Sequence, residues 1–204
     1  MECGRNEGID QLSWEDKMVT KKLVDFSMVE ELYHTRLIKD FPPMELKPLE
    51  MMRVSWEMES YDCYGLFERE EILGYAFFLR KGRKYLLDYY AIDEKHRGTG
   101  LGSGFLRQLA EYMEEADCVI IEVENPASAK DEEARKHMQR RLHFYLRNGC
   151  RETGVTSILF GVNYRLLEIA GRGAHGKEEL RAAYTEIYQS ILPERFFQTS
   201  FLVG

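Results

Sequence analysis

A glycine-rich segment between a predicted strand and a predicted helix constrains the fold more than any other feature. It reads His96-Arg97-Gly98-Thr99-Gly100-Leu101-Gly102-Ser103-Gly104, with four glycines in its last seven positions. Glycine allows backbone conformations that other residues avoid and lets the chain approach a ligand closely. The N–H groups of a helix's first turn have no partner within the helix, and together with the helix dipole they attract phosphate oxygens. The segment therefore predicts a phosphate-binding loop at a helix N-terminus.

Three known classes of phosphate-binding loop differ in the spacing of their glycines and in the residues that flank them. A P-loop requires Gly-x-x-x-x-Gly-Lys-Ser/Thr, and no lysine lies in or directly after the loop. A dinucleotide-binding loop requires Gly-x-Gly-x-x-Gly, whose last position falls here on Ser103 or Phe105. Glu122 lies where the ribose-binding acid of that class would be, so this class stays open as the weaker alternative. The third pattern, Arg/Gln-x-x-Gly-x-Gly/Ala, is met at every required position from Arg97 to Gly102. A glycine turn with no ligand is the remaining alternative.

The elements around this loop predict a mixed α/β (α+β) fold. Short charged turns separate several strand-like segments, which is typical of antiparallel neighbours. Helical periodicity returns at intervals between the strands. Strands are predicted at Val19–Phe26, Tyr61–Phe67, Ile72–Leu79, Tyr85–Ile92, Val119–Glu124, Thr156–Phe160, Tyr164–Ala170 and Phe196–Val203. Helices are predicted from Ser27, from Pro48, from Gly102, over Asp131–Asn148 and after Gly176.

Composition bounds the class of protein. Of 204 residues, 44% are hydrophobic and 31% charged, as in an ordinary globular protein, and the net charge is −7. This charge disfavours a nucleic-acid surface or a polybasic membrane patch, and no apolar run approaches the roughly 18 residues of a membrane span. The four cysteines form no C-x-x-C pair and the histidines lack ligand spacing, so we expect no metal site and a cytoplasmic location. We expect a flexible leader over residues 1–18 and one domain over residues 19–204.

Two segments together resemble the GNAT superfamily of N-acetyltransferases. Arg97 to Gly102 is similar to its coenzyme A-binding motif, and Phe144 to Cys150, read as Phe-Tyr-Leu-Arg-Asn-Gly-Cys, resembles its second signature. Cys150 stands where phenylalanine is usual, a departure that affects packing more than chemistry. The resemblance covers about Val19 to Ala170. It implies a GNAT-like mixed, mostly antiparallel central sheet flanked by helices, here with a C-terminal helix–strand extension.

The resemblance also implies acetyl-CoA as cosubstrate and assigns residues to it. The backbone of Ala91 and Ile92 would bind the pantetheine arm where the sheet splays. Asn125 would hydrogen-bond the pantetheine or only cap its loop. The pyrophosphate would be held, chiefly through backbone N–H groups, by Arg97, Gly98, Thr99, Gly100, Leu101, Gly102 and Ser103. A solvated surface arginine is the alternative for Arg97.

The resemblance and the chemistry of acetyl transfer suggest catalytic roles. Tyr145 would protonate the departing thiolate, although it also continues the apolar face of its helix. An amine acceptor must lose a proton, so a base is needed. Glu122 and Glu124 are candidate bases, because their side chains project from the same face of one strand. We favour Glu124 as the base because it lies nearer the carboxyl end of the strand. A structural ion pair with an arginine such as Arg140 or Arg141 is the alternative for both carboxylates, and Asp88 is a third candidate base.

The expected function is acetyl transfer from acetyl-CoA to a primary amine by direct attack. Neither motif contains a serine or cysteine that must act as nucleophile. A non-catalytic acyl-CoA-binding sensor is the alternative, because it would keep the glycine loop and could dispense with the tyrosine and the acidic pair. The acceptor is expected to be a small-molecule or peptide amine that the sequence does not identify, with no nucleic-acid or membrane partner. A last strand at Phe196–Val203 would allow pairing across a homodimer.

Overall fold

The structure, a computed structural model, describes residues 18–43, 45–169, 171 and 173–204. The leader expected over residues 1–18 lies outside the described residues except for Met18, which begins the first strand. The strands are β1 (Met18–Lys22), β2 (Tyr61–Glu68), β3 (Glu71–Lys81), β4 (Lys84–Ile92), β5 (Cys118–Glu124), β6 (Arg151–Leu159), β7 (Val162–Glu168) and β8 (Phe201–Val203). The helices are α1 (Phe26–Leu32), α2 (Leu49–Glu57), α3 (Leu101–Tyr112), α4 (Glu132–Arg147), α5 (Lys177–Ile191) and α6 (Glu194–Ser200). A π-helical segment (Tyr33–Leu37) and a helical turn (Ile38–Asp40) continue α1.

The eight described strands form one sheet in the order β1-β2-β3-β4-β5-β7-β6-β8. Every neighbouring pair is antiparallel except β4 and β5, which are parallel. A parallel pair needs a crossover connection, and here the glycine loop and α3 supply it. The prediction of a mixed, mostly antiparallel sheet flanked by helices is confirmed.

The parallel strands β4 and β5 pair over only part of their length. Lys84–Leu87 pairs with Cys118–Ile121, and the two strands then diverge. A bulge against β3 makes Asp88 the extra residue of β4, because Phe77 pairs with Tyr89 while Phe78 pairs with Leu87. Bulges bend the strand that carries them. The divergence leaves the β5-facing backbone edge of β4 beyond Leu87 unpaired with β5, and this stretch includes Ala91 and Ile92.

Helices cover both faces of the sheet. The core on one face contains residues of α1, α2 and α5, among them Val29, Met52 and Tyr184. The core on the other face contains residues of α3 and α4, among them Phe105 and Leu142. Central strands buried on both faces are apolar almost throughout, and β2 is buried from Tyr61 to Phe67 accordingly.

Several boundaries differ from the sequence prediction: β1 ends at Lys22 and not at Phe26, and β6 begins at Arg151 and not at Thr156. Two further differences have a visible cause. The first helix begins at Phe26, because Asp25 caps it by accepting a hydrogen bond at 2.9 Å from the backbone N of Ser27. The predicted strand over Phe196–Val203 is wrong for its first part, which is helix α6. The Pro193 carbonyl accepts backbone hydrogen bonds that start this helix, and the rings of Phe197 and Phe201, four residues apart, stack at 5.0 Å. The remaining strand, β8, pairs with β6 of the same chain.

A partly buried carboxylate joins α5 to the sheet. Glu122 on β5 accepts hydrogen bonds from the hydroxyls of Tyr184 and Tyr188, the second at 2.9 Å. The Tyr184 hydroxyl also lies 2.8 Å from the Ser157 hydroxyl on β6. These contacts tie three elements far apart in the sequence to one another.

We expect Tyr188→Phe to lower the free energy of unfolding by about 1.5–3 kcal/mol, because it removes a hydrogen bond to a partly buried carboxylate. Urea denaturation measures this change. The matched control is Tyr112→Phe, whose hydroxyl donates to the Thr20 carbonyl at 2.8 Å from a side chain that is 56% exposed. Water can replace that bond, so the control should lose less. Equal losses in both variants would contradict the anchoring role of the Glu122 contact.

Candidate active site

A cleft of about 1270 Å³ opens where β4 and β5 diverge. Its wall is formed by the end of β4, the glycine loop, the start of α3, one face of α4 and the chain that follows Asp40. The predicted site residues that line it are Ala91, Ile92, Arg97, Gly98, Gly100, Gly102, Ser103, Glu124 and Tyr145. The structure therefore brings most of the predicted coenzyme A residues together with two of the three predicted catalytic residues.

The glycine loop presents backbone N–H groups to this cleft. Gly98 and Gly100 have φ angles of 80° and 93°, which only glycine adopts readily, and Gly100 caps α3 in the left-handed conformation. A Cβ atom at either position would meet nothing within 4 Å, so the space before the loop is open. The first intrahelical bond runs from Gly104 N to Gly100 O at 3.1 Å. No described residue accepts a hydrogen bond from the N–H groups of residues 98–103, which are therefore available to an anion.

Tyr90 holds the loop at a fixed distance from the strand that precedes it. Its hydroxyl donates to the Gly102 carbonyl at 2.5 Å, and its ring stacks on Phe105 with the centroids 5.5 Å apart. The ring also lies beside Tyr145, at 6.3 Å. The sequence analysis did not find this residue, because its partners come from two different helices.

Arg97 makes intramolecular contacts that the loop motif did not indicate. Its Nε donates to the Ile92 carbonyl at 3.0 Å, and its Nη2 contacts Asp40 at 2.7 Å, so it joins the ends of β4 and of the first helical segment. The guanidinium is nevertheless half exposed in the cleft. A phosphate contact by Arg97 stays a prediction, and Asp40 would balance part of its charge.

Three predicted cofactor residues do not line the cleft with their side chains. Thr99 donates its hydroxyl to the His96 carbonyl at 2.7 Å and closes the turn, while the Leu101 side chain is buried in the core. Asn125 caps the turn at Pro126–Ser128, since its Oδ1 accepts from Ala127 N at 3.1 Å. Of the two roles considered for Asn125, the structure shows the cap.

Tyr145 is buried, with 2% of its surface exposed, yet it lines the cleft. Burial raises the pKa of its hydroxyl, while Arg141, one helical turn earlier, acts against that rise through its charge and a hydrogen bond. The hydroxyl therefore keeps its proton at neutral pH. If it gives that proton up, the adjacent guanidinium stabilises the tyrosinate that remains.

The two glutamates of β5 differ although they share a face. Glu124 lines the cleft, whereas Glu122 is absent from its lining and is held by the two tyrosines of α5. Burial raises the pKa of Glu122, and the tyrosine hydrogen bonds offset only part of that rise. Asp88 forms an ion pair with Lys47 and accepts a hydrogen bond from Tyr61 at 2.7 Å. Of these three carboxylates, Glu124 is the one in the cleft.

Two charged residues of the cleft were not predicted as functional. Glu45 lies in the loop before α2, and burial, followed by the nearby charge of Glu124, raises its pKa, while Arg141 acts in the opposite direction. Arg141 entered the sequence analysis only as an ion-pair partner. Its position four residues before Tyr145 was the signal that both would lie on one helix face. Glu45 belongs to no motif, so the sequence contained no signal for it.

The described residues contain no group of three or more His, Cys, Asp or Glu side chains placed to hold a metal ion. His175, which the sequence places in a glycine-rich loop, instead lies with its Nδ1 2.5 Å from the buried carboxylate of Glu168. Within the same part of the chain, no helix combines the length and the apolar character needed to cross a membrane.

Comparison with known proteins identifies the family. The sequence profile of the Acetyltransferase (GNAT) family matches residues 28–149, which include the glycine loop and Tyr145. The chain belongs to the GNAT family of acetyltransferases. No curated protein matches its sequence.

Solved structures share the fold of this GNAT acetyltransferase at low sequence identity. A structure described as a GNAT-family acetyltransferase from Bacteroides thetaiotaomicron has a TM-score of 0.66 and 19% identity, covering 84% of this chain and 96% of that one. The ribosomal-protein-S18-alanine N-acetyltransferase of Escherichia coli gives 0.55 and 16%, with 78% and 99% covered. A GNAT acetyltransferase from Elizabethkingia anophelis with acetyl-CoA bound gives 0.51 and 16%, with 76% and 99% covered.

Acetyl-CoA is the cosubstrate of this GNAT acetyltransferase. The cleft suits it on three counts: unpaired N–H groups for the pyrophosphate, open space before Gly98 and Gly100, and a stretch of β4 at Ala91 and Ile92 that lines the cleft and does not pair with β5. When bound, acetyl-CoA supplies an acetyl thioester, and the residues of the chain supply binding, orientation and proton transfer.

We expect Gly100→Val to weaken coenzyme A binding about tenfold to a hundredfold, equivalent to the loss of one or more hydrogen bonds to a charged group. A β-branched side chain strains the left-handed conformation, and its methyl groups fill the open space before the loop. Titration calorimetry with coenzyme A measures the change. Gly82→Val is the matched control, because Gly82 also has a positive φ, of 60°, but lies in the β3–β4 turn. Comparable weakening in both variants would show a general loss of stability and not a phosphate site.

Proposed function

We propose that this GNAT acetyltransferase transfers the acetyl group of acetyl-CoA to a primary amine of a small-molecule or peptide acceptor by direct attack. The observation that carries the proposal is that Tyr145 and Glu124 line one cleft, which also contains the phosphate-binding loop. A candidate proton donor and a candidate proton acceptor thus share the cleft with the loop that would hold the cosubstrate.

The chemistry requires two proton movements. The amine nitrogen attacks the thioester carbonyl carbon, the carbon–sulfur bond breaks, and an amide and a thiolate result. The nitrogen loses a proton, and the sulfur gains one. An alkylammonium has a reference pKa near 10.4, so at neutral pH the acceptor arrives mostly protonated and a base must take its proton directly or through water.

Tyr145 is proposed as the donor to sulfur. Its raised pKa keeps the proton in place until the thiolate forms, and the Arg141 guanidinium favours the tyrosinate afterwards. Its ring is fixed between Tyr90 and Phe144, with centroid distances of 6.3 and 5.2 Å. Fixed orientation favours proton transfer because little reorganisation is needed.

Glu124 is proposed as the acceptor of the amine proton. It is the carboxylate of β5 that lines the cleft. Ala91 and Ile92 lie across the opening from it, on β4. Glu122 is not offered as the base, because its oxygen is already bound by two tyrosine hydroxyls away from the cleft.

A non-catalytic acyl-CoA-binding module is the second candidate function. It would use the same loop but would not need a buried tyrosine next to an arginine.

As for the acceptor, the E. coli neighbour is described as acting on an alanine of a ribosomal protein, which keeps a peptide amine among the candidates. We further propose a cytoplasmic location and a homodimer formed through the outer edge of β8, without a nucleic-acid or membrane partner.

We expect Tyr145→Phe to lower turnover about tenfold to a thousandfold while leaving coenzyme A affinity unchanged, because only the proton donor is removed. The assay follows thiol release from acetyl-CoA over a panel of amines. Tyr112→Phe, at the surface end of α3, is the matched control and should keep full activity. Unchanged turnover in Tyr145→Phe would leave Tyr145 a packing residue. If the parent protein binds acetyl-CoA but none of the amines in the panel leads to thiol release, the binding-module function is favoured.

We expect Glu124→Gln to lose most turnover at a normal melting temperature and with unchanged coenzyme A affinity, because an amide cannot accept the proton of the amine. Glu122→Gln is its matched control and should keep specific activity while changing how stability depends on pH. The pKa of Glu122 is raised in the folded protein. The stabilisation that this carboxyl provides is therefore fully present below its pKa in the unfolded chain, about 4.3, and is lost as the pH rises through its pKa in the folded protein. The variant lacks that loss. Turnover lost in Glu122→Gln but kept in Glu124→Gln would reverse the assignment.

A further inference from the structure

The loop before α2 brings a carboxylate into the cleft opposite β5. Glu45 lines the cleft together with Glu124, Arg141 and Tyr145. It lies on the sheet face that carries α1, α2 and α5, whereas Tyr145 belongs to the opposite core. Glu45 is therefore placed on the acceptor side of the proposed reaction.

The backbone on both sides of Leu46 is hydrogen-bonded to a side chain of β4. The Tyr89 hydroxyl accepts a hydrogen bond from Lys47 N at 2.8 Å and donates one to the Glu45 carbonyl at 2.8 Å. The Lys47 ammonium forms an ion pair with Asp88, whose side chain is 6% exposed. Because Tyr89 is itself buried, these contacts fix where Glu45 enters the cleft.

The Glu45 carboxylate shares the charge of Arg141 with Glu124. Glu45 and Glu124 are close enough to raise the pKa of Glu45, and both act on the single guanidinium of Arg141. Lys47 is engaged by Asp88. Among the described residues, no Lys, Arg or His nitrogen forms an ion pair with the Glu45 carboxylate. Glu45 thus has no ion-pair partner of its own in a partly enclosed site, although Arg97, Arg140 and Arg147 also line the cleft, and buried charges are normally paired.

We propose that Glu45 binds a second positive charge on the acceptor, so that the preferred acceptors are diamines or cationic amino compounds and not monoamines. This inference rests on the proposed function. Glu124 takes the proton of the reacting amine, and Glu45 pairs with an ammonium or guanidinium group that does not react. The second cation gives Glu45 an ion-pair partner and orients the first amine.

The test compares two matched pairs of acceptors. Putrescine and butylamine have the same carbon chain and differ by one amino group, and lysinamide and norleucinamide differ in the same way in a peptide-like frame. The parent enzyme should show a lower KM for the dicationic member of at least one pair. Glu45→Gln should raise that KM about tenfold to a hundredfold, the usual effect of removing a hydrogen bond to a charge, with kcat and the KM for the monocation nearly unchanged.

Controls separate this inference from the function on which it rests. Glu57→Gln, an exposed change at the end of α2, should alter neither KM, and the affinity of Glu45→Gln for coenzyme A should equal that of the parent. Turnover of monoamines and diamines alike, or an equal KM change for both members of each pair, would overturn the role of Glu45 and leave the proposed function standing. Absence of thiol release with every amine would remove both.

Tyr89→Phe provides an independent test of position. It removes the hydroxyl that bridges Glu45 and Lys47 but leaves the Glu45 carboxylate in the chain. Its KM for the dicationic acceptor should rise in the same direction as in Glu45→Gln, by a smaller factor. The two changes combined should raise that KM by less than the product of the single effects, because both act through one contact. Fully multiplicative effects would contradict a shared role.

Discussion

The limited pairing of β4 with β5 is the constraint on which the rest of the site depends. The strands are joined only from Lys84 to Leu87, and the bulge at Asp88 bends β4 away. If the pairing continued, the backbone groups on the β5-facing edge of β4 would form hydrogen bonds with β5, and the cleft would close. The glycine loop and α3 begin at the end of the bent strand, so the same divergence that leaves this backbone edge unpaired with β5 also points the helix N-terminus into the opening.

The bulge residue also couples the sheet to the acceptor side. Asp88 is almost fully buried and is paired with Lys47 and Tyr61. Desolvating such an ion pair costs several kcal/mol per charge in general, so its value lies less in stability than in fixing one arrangement. Here it fixes the loop of Glu45 against the strand that turns away from β5. The edge that suits the cosubstrate and the loop proposed to hold the acceptor are thereby set relative to each other by one side chain.

The sequence was sufficient for the features that depend on local chemistry. The positive φ angles of Gly98 and Gly100 follow from a motif that only glycine satisfies, and the helical spacing of α4 placed Tyr145 on an inward face. The sequence was insufficient where the interacting residues are distant from each other along the chain. The tyrosines that bind Glu122 lie more than sixty positions away, and Glu45 comes from a loop without a pattern. The strand predicted over Phe196–Val203 failed because a short apolar run suits either element, and the contact of Phe197 with Phe201 decides for a helical start.

The pair Glu122 and Glu124 shows how surroundings separate two equivalent side chains. Strand geometry gives them the same face and a spacing of two residues, so no local rule distinguishes them. Glu122 lies where α5 covers the sheet, and its oxygen is satisfied by phenol hydroxyls that hold the helix. Both glutamates lie beyond Ile121, the last residue of β5 that pairs with β4, but only Glu124, two residues further along, borders the cleft. The cover that α5 provides over Glu122, and not the strand pairing, therefore separates the carboxylate that holds the helix from the one that we propose as proton acceptor.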